Sequence, residues 1–361
     1  MKVAKLILVV IAACILLSIG GAVVFRTAVL GRFHKADAIV TAQGIDWSGY
    51  IPVNGTRQWI LARGDDSTAE VILYLHGGPG IPETFIAHKK YQGILEQHFV
   101  IVHWEQRGAG KSYRSDPRGT TISRNTCVSD AAEVTRYLMN RFRKQRIFCM
   151  GHSWGSIIGM DLIQQYPGMY KGYIGLGQAA NTIDQERISL QFCRECLQSS
   201  NDSNGLARLA KIGTPPYTNV FGAIGIQREY LYKCKGWAWK NYSYDDLFMD
   251  MFSCRYYSLI EAMGFYRGTN NTLKAILNEE FWKIAPEVED TAVDVPVAFF
   301  IGRHDYNTPF EVTERYFDKL KAPYKEKVMF EESGHMVMVE EPQKFQREAV
   351  RFFTHCNAMP D

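Results

Sequence analysis

Ser153 lies at the centre of the motif Gly151–Gly155, in which a glycine stands two residues to either side of a serine. The apolar run Arg146–Met150 before the motif predicts a strand, and the small residues of Ser156–Met160 after it predict the start of a helix. A tight turn between strand and helix pushes the serine hydroxyl into a cleft, and small residues let the backbone pass. The motif therefore predicts a nucleophilic serine that needs a general base.

A glycine-rich loop, His76–Gly80, follows the predicted strand Val71–Leu75. Glycine lets backbone N–H groups approach a substrate oxygen closely, and the N–H after a nucleophilic serine commonly completes such an oxyanion hole. We therefore predict that the backbone N–H groups of Gly78 and Trp154 form the oxyanion hole. The loop lacks the spacing of a P-loop, which argues against a nucleotide phosphate site.

Asp305 and His335 each follow a late apolar run, Val295–Ile301 and Lys327–Phe330 respectively. A short connection after a strand fixes an acid well enough to orient a neighbour, and the ordinary pKa of histidine suits proton transfer near neutral pH. We predict a triad in which His335 is the general base, Asp305 orients it and Ser153 attacks. No metal or cofactor is needed for this chemistry.

Several elements must bring these residues together. Helical stretches such as Asp130–Phe142 and Pro309–Leu320 alternate with apolar runs, and Asn54-Gly55 predicts a hairpin turn. The runs that predict buried strands are 71–75, 99–104, 146–150, 172–176, 295–301 and 327–330. This alternation predicts an α/β core with a mostly parallel sheet. The order serine, aspartate, histidine along the chain is that of α/β hydrolases, unlike chymotrypsin or subtilisin.

The alternation stops between about residues 182 and 290, where little predicts strand and aromatic residues are frequent. We expect a mostly helical cap inserted between two strands, with some of its rings facing the cleft. The expected organisation is a membrane anchor and flank at 1–35, a first part of the core at 36–181, the cap at 182–290 and a second part of the core at 291–361.

Five motifs together resemble the proline iminopeptidase (prolyl aminopeptidase) family of serine peptidases: His76–Gly80, Trp104–Ser112, Gly151–Ser156, Gly302–Asp305 and Ser333–His335. The resemblance extends over residues 45–355, strongly in the core and weakly in the cap. It implies an α/β-hydrolase core with a helical cap, no cofactor, and removal of an N-terminal residue, often proline, from peptides. Glu105 stands where the family usually has aspartate, so its side chain is one methylene longer.

The resemblance also implies a way to recognise the substrate, because family aminopeptidases hold the free amine with carboxylates of the cap. Glu261 is the first candidate, since it lies beside Tyr256 and Tyr257 in the aromatic-rich half of the cap. Glu229 and Glu195 rank behind it.

The sequence thus predicts a serine hydrolase that acts through an acyl-enzyme. The leading hypothesis is an aminopeptidase acting on short peptides. A carboxylic ester or another small acyl compound is the alternative substrate, because the same core supports either reaction. A non-catalytic binding protein is disfavoured by the complete Ser153, Asp305 and His335 set.

The N-terminus carries Lys2 and Lys5, followed by the uncharged segment Leu6–Phe25. Twenty apolar residues suffice to span a membrane, whereas the core of a signal peptide is usually about 7–15 residues long. We expect a single-pass anchor with an exported catalytic domain, and a cleaved signal peptide is the alternative. The membrane face is not fixed, because Arg26, Arg32 and other basic residues follow the segment.

Composition excludes one class of partner. Of the 361 residues, 46% are hydrophobic and 22% are charged, which is an ordinary globular balance. The formal net charge is only +3 and no long basic stripe is present, so nucleic acid is not expected as a partner.

Four of the eight cysteines, Cys193, Cys196, Cys234 and Cys254, fall within the expected cap. They allow two disulfides if the domain is exported, or four reduced thiols if it is not. The spacing of Cys193 and Cys196 also fits a zinc site, but the other two cysteines form no second pair of that kind.

Overall fold

A computed structural model of the chain describes residues 38–115, 121–240, 242–289 and 291–360, together with positions 7, 10, 11, 13, 14, 17, 20–28 and 30. The strands are β1 Ile45–Val53, β2 Thr56–Gly64, β3 Glu70–Leu75, β4 Phe99–Trp104, β5 Ile147–His152, β6 Tyr170–Leu176, β7 Val297–Gly302 and β8 Lys325–Phe330. They form one sheet in the order β1-β2-β4-β3-β5-β6-β7-β8.

The sheet is mostly parallel, as the sequence predicts. Strands β3 to β8 pair in parallel, whereas β1 and β2 form an antiparallel hairpin that joins the sheet through β4. Asn54 and Gly55 both have positive φ angles, of 43° and 77°, which is the requirement of a two-residue turn that matches strand twist. The predicted hairpin about these two residues is confirmed.

Helices cover both faces of the sheet. They are α1 Thr84–Lys90, α2 Gly93–Glu96, α3 Gly110–Ser115, α4 Arg124–Phe142, α5 Trp154–Gln165, α6 Thr182–Ser199, α7 Ser203–Ile212, α8 Val220–Lys233, α9 Tyr244–Phe252, α10 Leu259–Ile276, α11 Pro286–Glu289, α12 Phe310–Lys319, α13 Val337–Glu340 and α14 Pro342–Ala358. Because side chains alternate along a strand, Leu73 of β3 packs with α4 and α5, and its neighbour Tyr74 packs with α1 and α14 on the opposite face. All residues of β4, β5 and β7 are buried.

The described residues between β6 and β7 form helices α6 to α11 and a short 3-10 turn. Asn181 begins α6 by accepting a hydrogen bond from the Asp184 backbone, and Ser258 begins α10 with a capping box. Helices α6, α7 and α8 enclose a small core of their own, which includes Leu190, Leu209 and other apolar residues. This helical region, called the cap below, is therefore held together partly by its own contacts.

One disulfide joins two helices of the cap. Cys196 of α6 bonds to Cys234, which follows α8, with their Cα atoms 6.1 Å apart. Cys193 and Cys254 are buried thiols, so of the two disulfides that the sequence allows only this one forms. The disulfide also removes Cys196 from the zinc site that its spacing with Cys193 allows. Among the described residues, no cluster of His, Cys, Asp or Glu side chains is arranged to hold a metal ion.

The expected anchor Leu6–Phe25 lies largely outside the described residues. Positions 20–28 are helical, and Val24 and Phe25 are exposed there. Across the positions that are described, each helix is too short or too polar to cross a membrane.

Candidate active site

Ser153 lies in the sharp turn between β5 and α5. Its φ and ψ angles are 52° and −118°, a strained conformation for a residue other than glycine. A side chain at Gly151 would collide with the Gly155 carbonyl, and one at Gly155 would collide with the Leu75 carbonyl. The glycines of the motif are thus required by close backbone contacts, and they hold the Ser153 side chain at the end of the buried strand.

Asp305 and His335 lie in the loops after β7 and β8, as the sequence predicts. His335 Nδ1 is 2.8 Å from Asp305 Oδ2, and both side chains are almost fully buried. The backbone N–H groups of Asn307 and Thr308 donate to Asp305 Oδ1 at 2.8 Å, and the Thr308 hydroxyl donates to Oδ2 at 2.7 Å. These donors fix the carboxylate, which in turn fixes the ring of His335.

Burial favours the neutral form of the His335 ring. Burial lowers the pKa of His335 below its usual value, although the neighbouring Asp305 carboxylate opposes that change. A neutral imidazole that donates Nδ1–H to Asp305 carries its single lone pair on Nε2. Nε2 is therefore the atom able to take a proton from a nucleophile, and Asn307 Nδ2 lies 3.1 Å from it.

The expected oxyanion-hole residues border the same cavity as Ser153. Gly78, Ser153, Trp154 and His335 all line it. Gly78 has a φ angle of 112°, a conformation that side chains rarely adopt. Trp154 is the first residue of α5, where backbone N–H groups have no partner within the helix. Both residues thus border the cavity that Ser153 lines, and their role as an oxyanion hole stays a prediction.

Gln106 connects the glycine-rich loop to the helix that follows Ser153, a role that the sequence motifs did not suggest. The indole Nε1–H of Trp154 donates to Gln106 Oε1 at 3.0 Å, and Gln106 Nε2 donates to the His76 carbonyl at 2.9 Å. The side chain thereby links the helix after the nucleophile to the glycine-rich loop.

A buried ion pair lies beneath the glycine-rich loop. Glu83 Oε1 is 2.6 Å from His152 Nδ1, and the carboxylate also accepts hydrogen bonds from the Tyr74 hydroxyl and the Gly77 backbone. Burial alone would raise the pKa of Glu83, but His152 holds it below its usual value, and Glu83 likewise raises the pKa of His152 against the effect of burial. Sequence reasoning missed Glu83, because no local pattern distinguishes it from a surface carboxylate.

The cavity has a volume of about 570 Å³ and lies between the loops at the carboxyl ends of the strands and helices α6, α8 and α10 of the cap. Most of its wall is apolar. The apolar side chains include Ile81, Ile86, Ile157, Phe221, Ile224 and Leu273.

Two carboxylates of the cap line the cavity, and both already have arginine partners. Glu186 is buried and accepts a hydrogen bond from Arg228 at 2.8 Å. Glu229 is 56% exposed and pairs with Arg208 at 2.7 Å.

The structure places Glu261, the first candidate for amine binding, away from this cavity. Glu261 accepts a hydrogen bond from the Ser258 backbone at 2.8 Å and pairs with Lys111 at 3.3 Å. A serine followed three residues later by glutamate is the signature of a capping box, which would have indicated that this carboxylate faces the start of its own helix. Glu195 bonds to Gln191 on the exposed side of α6 and does not line the cavity either.

Sequence comparison relates the chain to peptidases. The profile of the family "Serine aminopeptidase, S33" matches residues 68–202. The protein named "Probable aminopeptidase YbaC" of Bacillus subtilis (strain 168) is 30% identical over 307 residues, which cover 84% of this chain and 95% of that protein.

Comparison with solved structures shows the α/β-hydrolase fold. The proline iminopeptidase of Mycobacterium smegmatis superposes with a TM-score of 0.61 at 15% identity, over 86% of this chain and 98% of that one. A bacterial membrane phospholipase A superposes with a TM-score of 0.64 at 14% identity, over 97% and 99% of the two chains. Chains that act on different bonds thus share this architecture.

Proposed function

The chain belongs to the serine aminopeptidase S33 family of α/β hydrolases, and from that premise we propose that it releases N-terminal residues from short peptides through a Ser153, His335 and Asp305 triad. The observation that supports the triad most is the Asp305–His335 pair, 2.8 Å apart, in which His335 lines one cavity together with the strained Ser153 turn.

In the proposed reaction, Ser153 Oγ attacks the carbonyl carbon while its proton passes to His335 Nε2. Asp305 keeps the His335 ring in the required tautomer and stabilises the imidazolium. The N–H groups of Gly78 and Trp154 stabilise the oxyanion, and His335 then gives its proton to the leaving amine. Water, deprotonated by His335, attacks the acyl-enzyme, and the proton returns to Ser153 as the acid leaves.

Among the carboxylates of the cap, Glu229 is the best candidate to hold the substrate's ammonium group. It lines the cavity, and its ion pair with Arg208 is exposed, so exchanging that partner costs little. Glu186 is less suited, because separating its buried pair with Arg228 would leave a charge without compensation.

Hydrolysis of a neutral ester is the second candidate function. The cavity wall is mostly apolar, and Glu186 and Glu229 are each neutralised by an arginine. A small apolar acyl group would fit this wall without needing a free carboxylate.

Kinetics on matched substrates distinguish the two functions. An aminopeptidase should cleave an aminoacyl-arylamide roughly ten- to a hundredfold faster than its N-acetylated form, because a hydrogen bond to a charged group contributes about 1.5–3 kcal/mol. Glu229→Gln should shrink that ratio, whereas Glu261→Gln, outside the cavity, should leave it unchanged. Equal rates on free and blocked substrates, together with rapid cleavage of p-nitrophenyl esters, would establish the esterase instead.

We also propose that Leu6–Phe25 anchors the enzyme in a membrane with the catalytic domain exported. The Cys196–Cys234 disulfide supports export, because such bonds persist in oxidising compartments. Carbonate washing of membranes should leave the full-length protein in the pellet. Release into the soluble fraction, or a mature N-terminus near residue 26, would contradict the anchor.

A further inference from the structure

Asn307 lies in the loop after β7, two residues beyond Asp305, and its side chain lines the cavity. Its backbone N–H donates to Asp305 Oδ1 at 2.8 Å, which fixes the position of the residue. Its side-chain Nδ2 lies 3.1 Å from His335 Nε2. The reaction described above gives this amide no task, although it touches the atom on which proton transfer depends.

The contact has a chemical consequence. His335 directs its Nδ1 proton to Asp305, so Nε2 has one lone pair and accepts one well-directed hydrogen bond. The Ser153 hydroxyl needs that lone pair in order to lose its proton. The Asn307 amide and the Ser153 hydroxyl therefore compete for the same acceptor.

We propose that Asn307 is a positioning residue that occupies the lone pair of the general base and releases it when a polar atom of the substrate accepts the amide N–H instead. The proposal rests on the function proposed above, in which His335 is the base. Substrate binding and activation of Ser153 are then coupled through one side chain, and a compound that offers no acceptor to Asn307 has to break the contact without compensation.

Two measurements follow from removing the amide in Asn307→Leu. The backbone bond to Asp305 is retained, so the loop keeps its anchor. A small fluorophosphonate should label Ser153 roughly two- to tenfold faster, because one neutral hydrogen bond to the base no longer has to be broken. A donor to Nε2 favours neutral imidazole, so its loss should also raise the apparent pKa of the acid limb of kcat/KM by roughly 0.3–1 unit.

The charged groups that face His335 are Asp305, His152 and Glu83, and none of them changes in this variant. Asn307→Asp provides a second test, because a carboxylate beside Nε2 favours the imidazolium. It should raise the apparent pKa of the acid limb of kcat/KM more than Asn307→Leu does. Asn271→Leu, an exposed position on α10 outside the cavity, is the matched control and should match the wild type in both measurements.

The outcomes separate the two proposals. If the wild type is not labelled at Ser153, the proposed function fails. If Ser153 is labelled but Asn307→Leu changes neither the labelling rate nor the acid limb, the role of Asn307 is refuted. A downward shift of the acid limb would also refute it, because the amide oxygen would then be facing a protonated ring.

Discussion

The core loops and the cap hold their side chains in different ways. In the core, Ser153 follows β5 directly, and Asp305 and His335 lie a few residues beyond β7 and β8. Their positions are set by buried parallel strands and by backbone hydrogen bonds. In the cap, the cavity-facing side chains of α6 and α8 come from helices that are held by the Cys196–Cys234 disulfide and a small core of their own.

Because of this difference, we expect the reaction to depend mainly on the core loops and the choice of substrate to depend mainly on the cap. The core residues lie a few residues beyond their strands, although the His335 backbone N–H also donates to the Trp237 carbonyl of the cap at 2.7 Å. The two cap carboxylates that line the cavity pair with arginines of the same helical region, Glu186 with Arg228 and Glu229 with Arg208. Their orientation therefore depends on packing within the cap, whereas the residues of the proposed triad follow core strands.

Ser153→Ala tests the core most directly. Loss of the proposed nucleophile should lower kcat by about 10⁴-fold or more, because members of a triad act as a unit. The free energy of unfolding should change little, since the hydroxyl is not a structural hydrogen-bond partner of the sheet. Turnover that persists above a few per cent of the wild-type rate, measured on any accepted substrate, would show that another residue attacks.

The core residues could be predicted from the sequence because each is marked by a pattern of residues that are neighbours along the chain. A strand, a glycine and a polar residue at the strand end identify Ser153 and His335 without knowledge of distant contacts. Parallel strands bring their carboxyl ends to one edge, so separate motifs predict one site.

The cap and the supporting contacts could not be predicted in this way. Glu83 meets His152, and Asn307 meets His335, across long stretches of chain that no local pattern connects. In a helix, the direction of a side chain relative to a distant cleft depends on packing, so the proximity of Glu261 to aromatic residues was a poor guide. Its capping box was the local signal that mattered.

Gly78→Ala tests the oxyanion hole with a smaller expected effect. An added Cβ would lie 2.7 Å from the backbone nitrogens of Gly80 and Ile81, at a φ angle that disfavours side chains, so the loop must move. Loss of one oxyanion donor typically costs about 10²–10³ in kcat. Gly93→Ala is the control, because a Cβ there meets no atom within 4 Å. Similar activity in the two variants would reject Gly78 as a donor.

Replacing Cys196 and Cys234 by serine tests the independence of the cap. Removing a disulfide typically lowers the free energy of unfolding by about 2–4 kcal/mol, which urea denaturation would measure. Reductant should destabilise the wild type similarly and have no further effect on the double variant. Labelling of Ser153 by a fluorophosphonate should survive, because the residues of the proposed triad follow core strands and their loops are joined to Gly236 and Trp237 of the cap by single backbone hydrogen bonds. Loss of labelling in the folded variant would show that the cap positions the triad after all.

Glu105→Gln tests the junction between the two regions. Glu105 follows β4 of the core and accepts hydrogen bonds from the Tyr257 hydroxyl of the cap and from the Lys111 backbone. Burial raises the pKa of Glu105 to about 7, although both hydrogen bonds oppose this. The folded state then keeps a proton that the unfolded chain loses, so the free energy of unfolding should fall as the pH rises from about 4.5 to 7, and level off above that.

The expected size of this change is about 1–3 kcal/mol, since each unit of pKa shift corresponds to about 1.4 kcal/mol. Glu105→Gln removes the titrating group. Its free energy of unfolding should therefore change less between pH 5 and pH 8 than that of the wild type, and the two changes should differ by this amount. Glu261→Gln is a comparison variant at the same junction, and because the Glu261 carboxylate contributes to the raised pKa of Glu105, it should reduce the pH dependence slightly without abolishing it. Burial would raise the pKa of Glu261, but its hydrogen bonds with Ser258 lower it overall, which is the opposite direction to the shift of Glu105. An equal pH dependence in the wild type and Glu105→Gln would show that the core–cap contact does not depend on the protonation of Glu105.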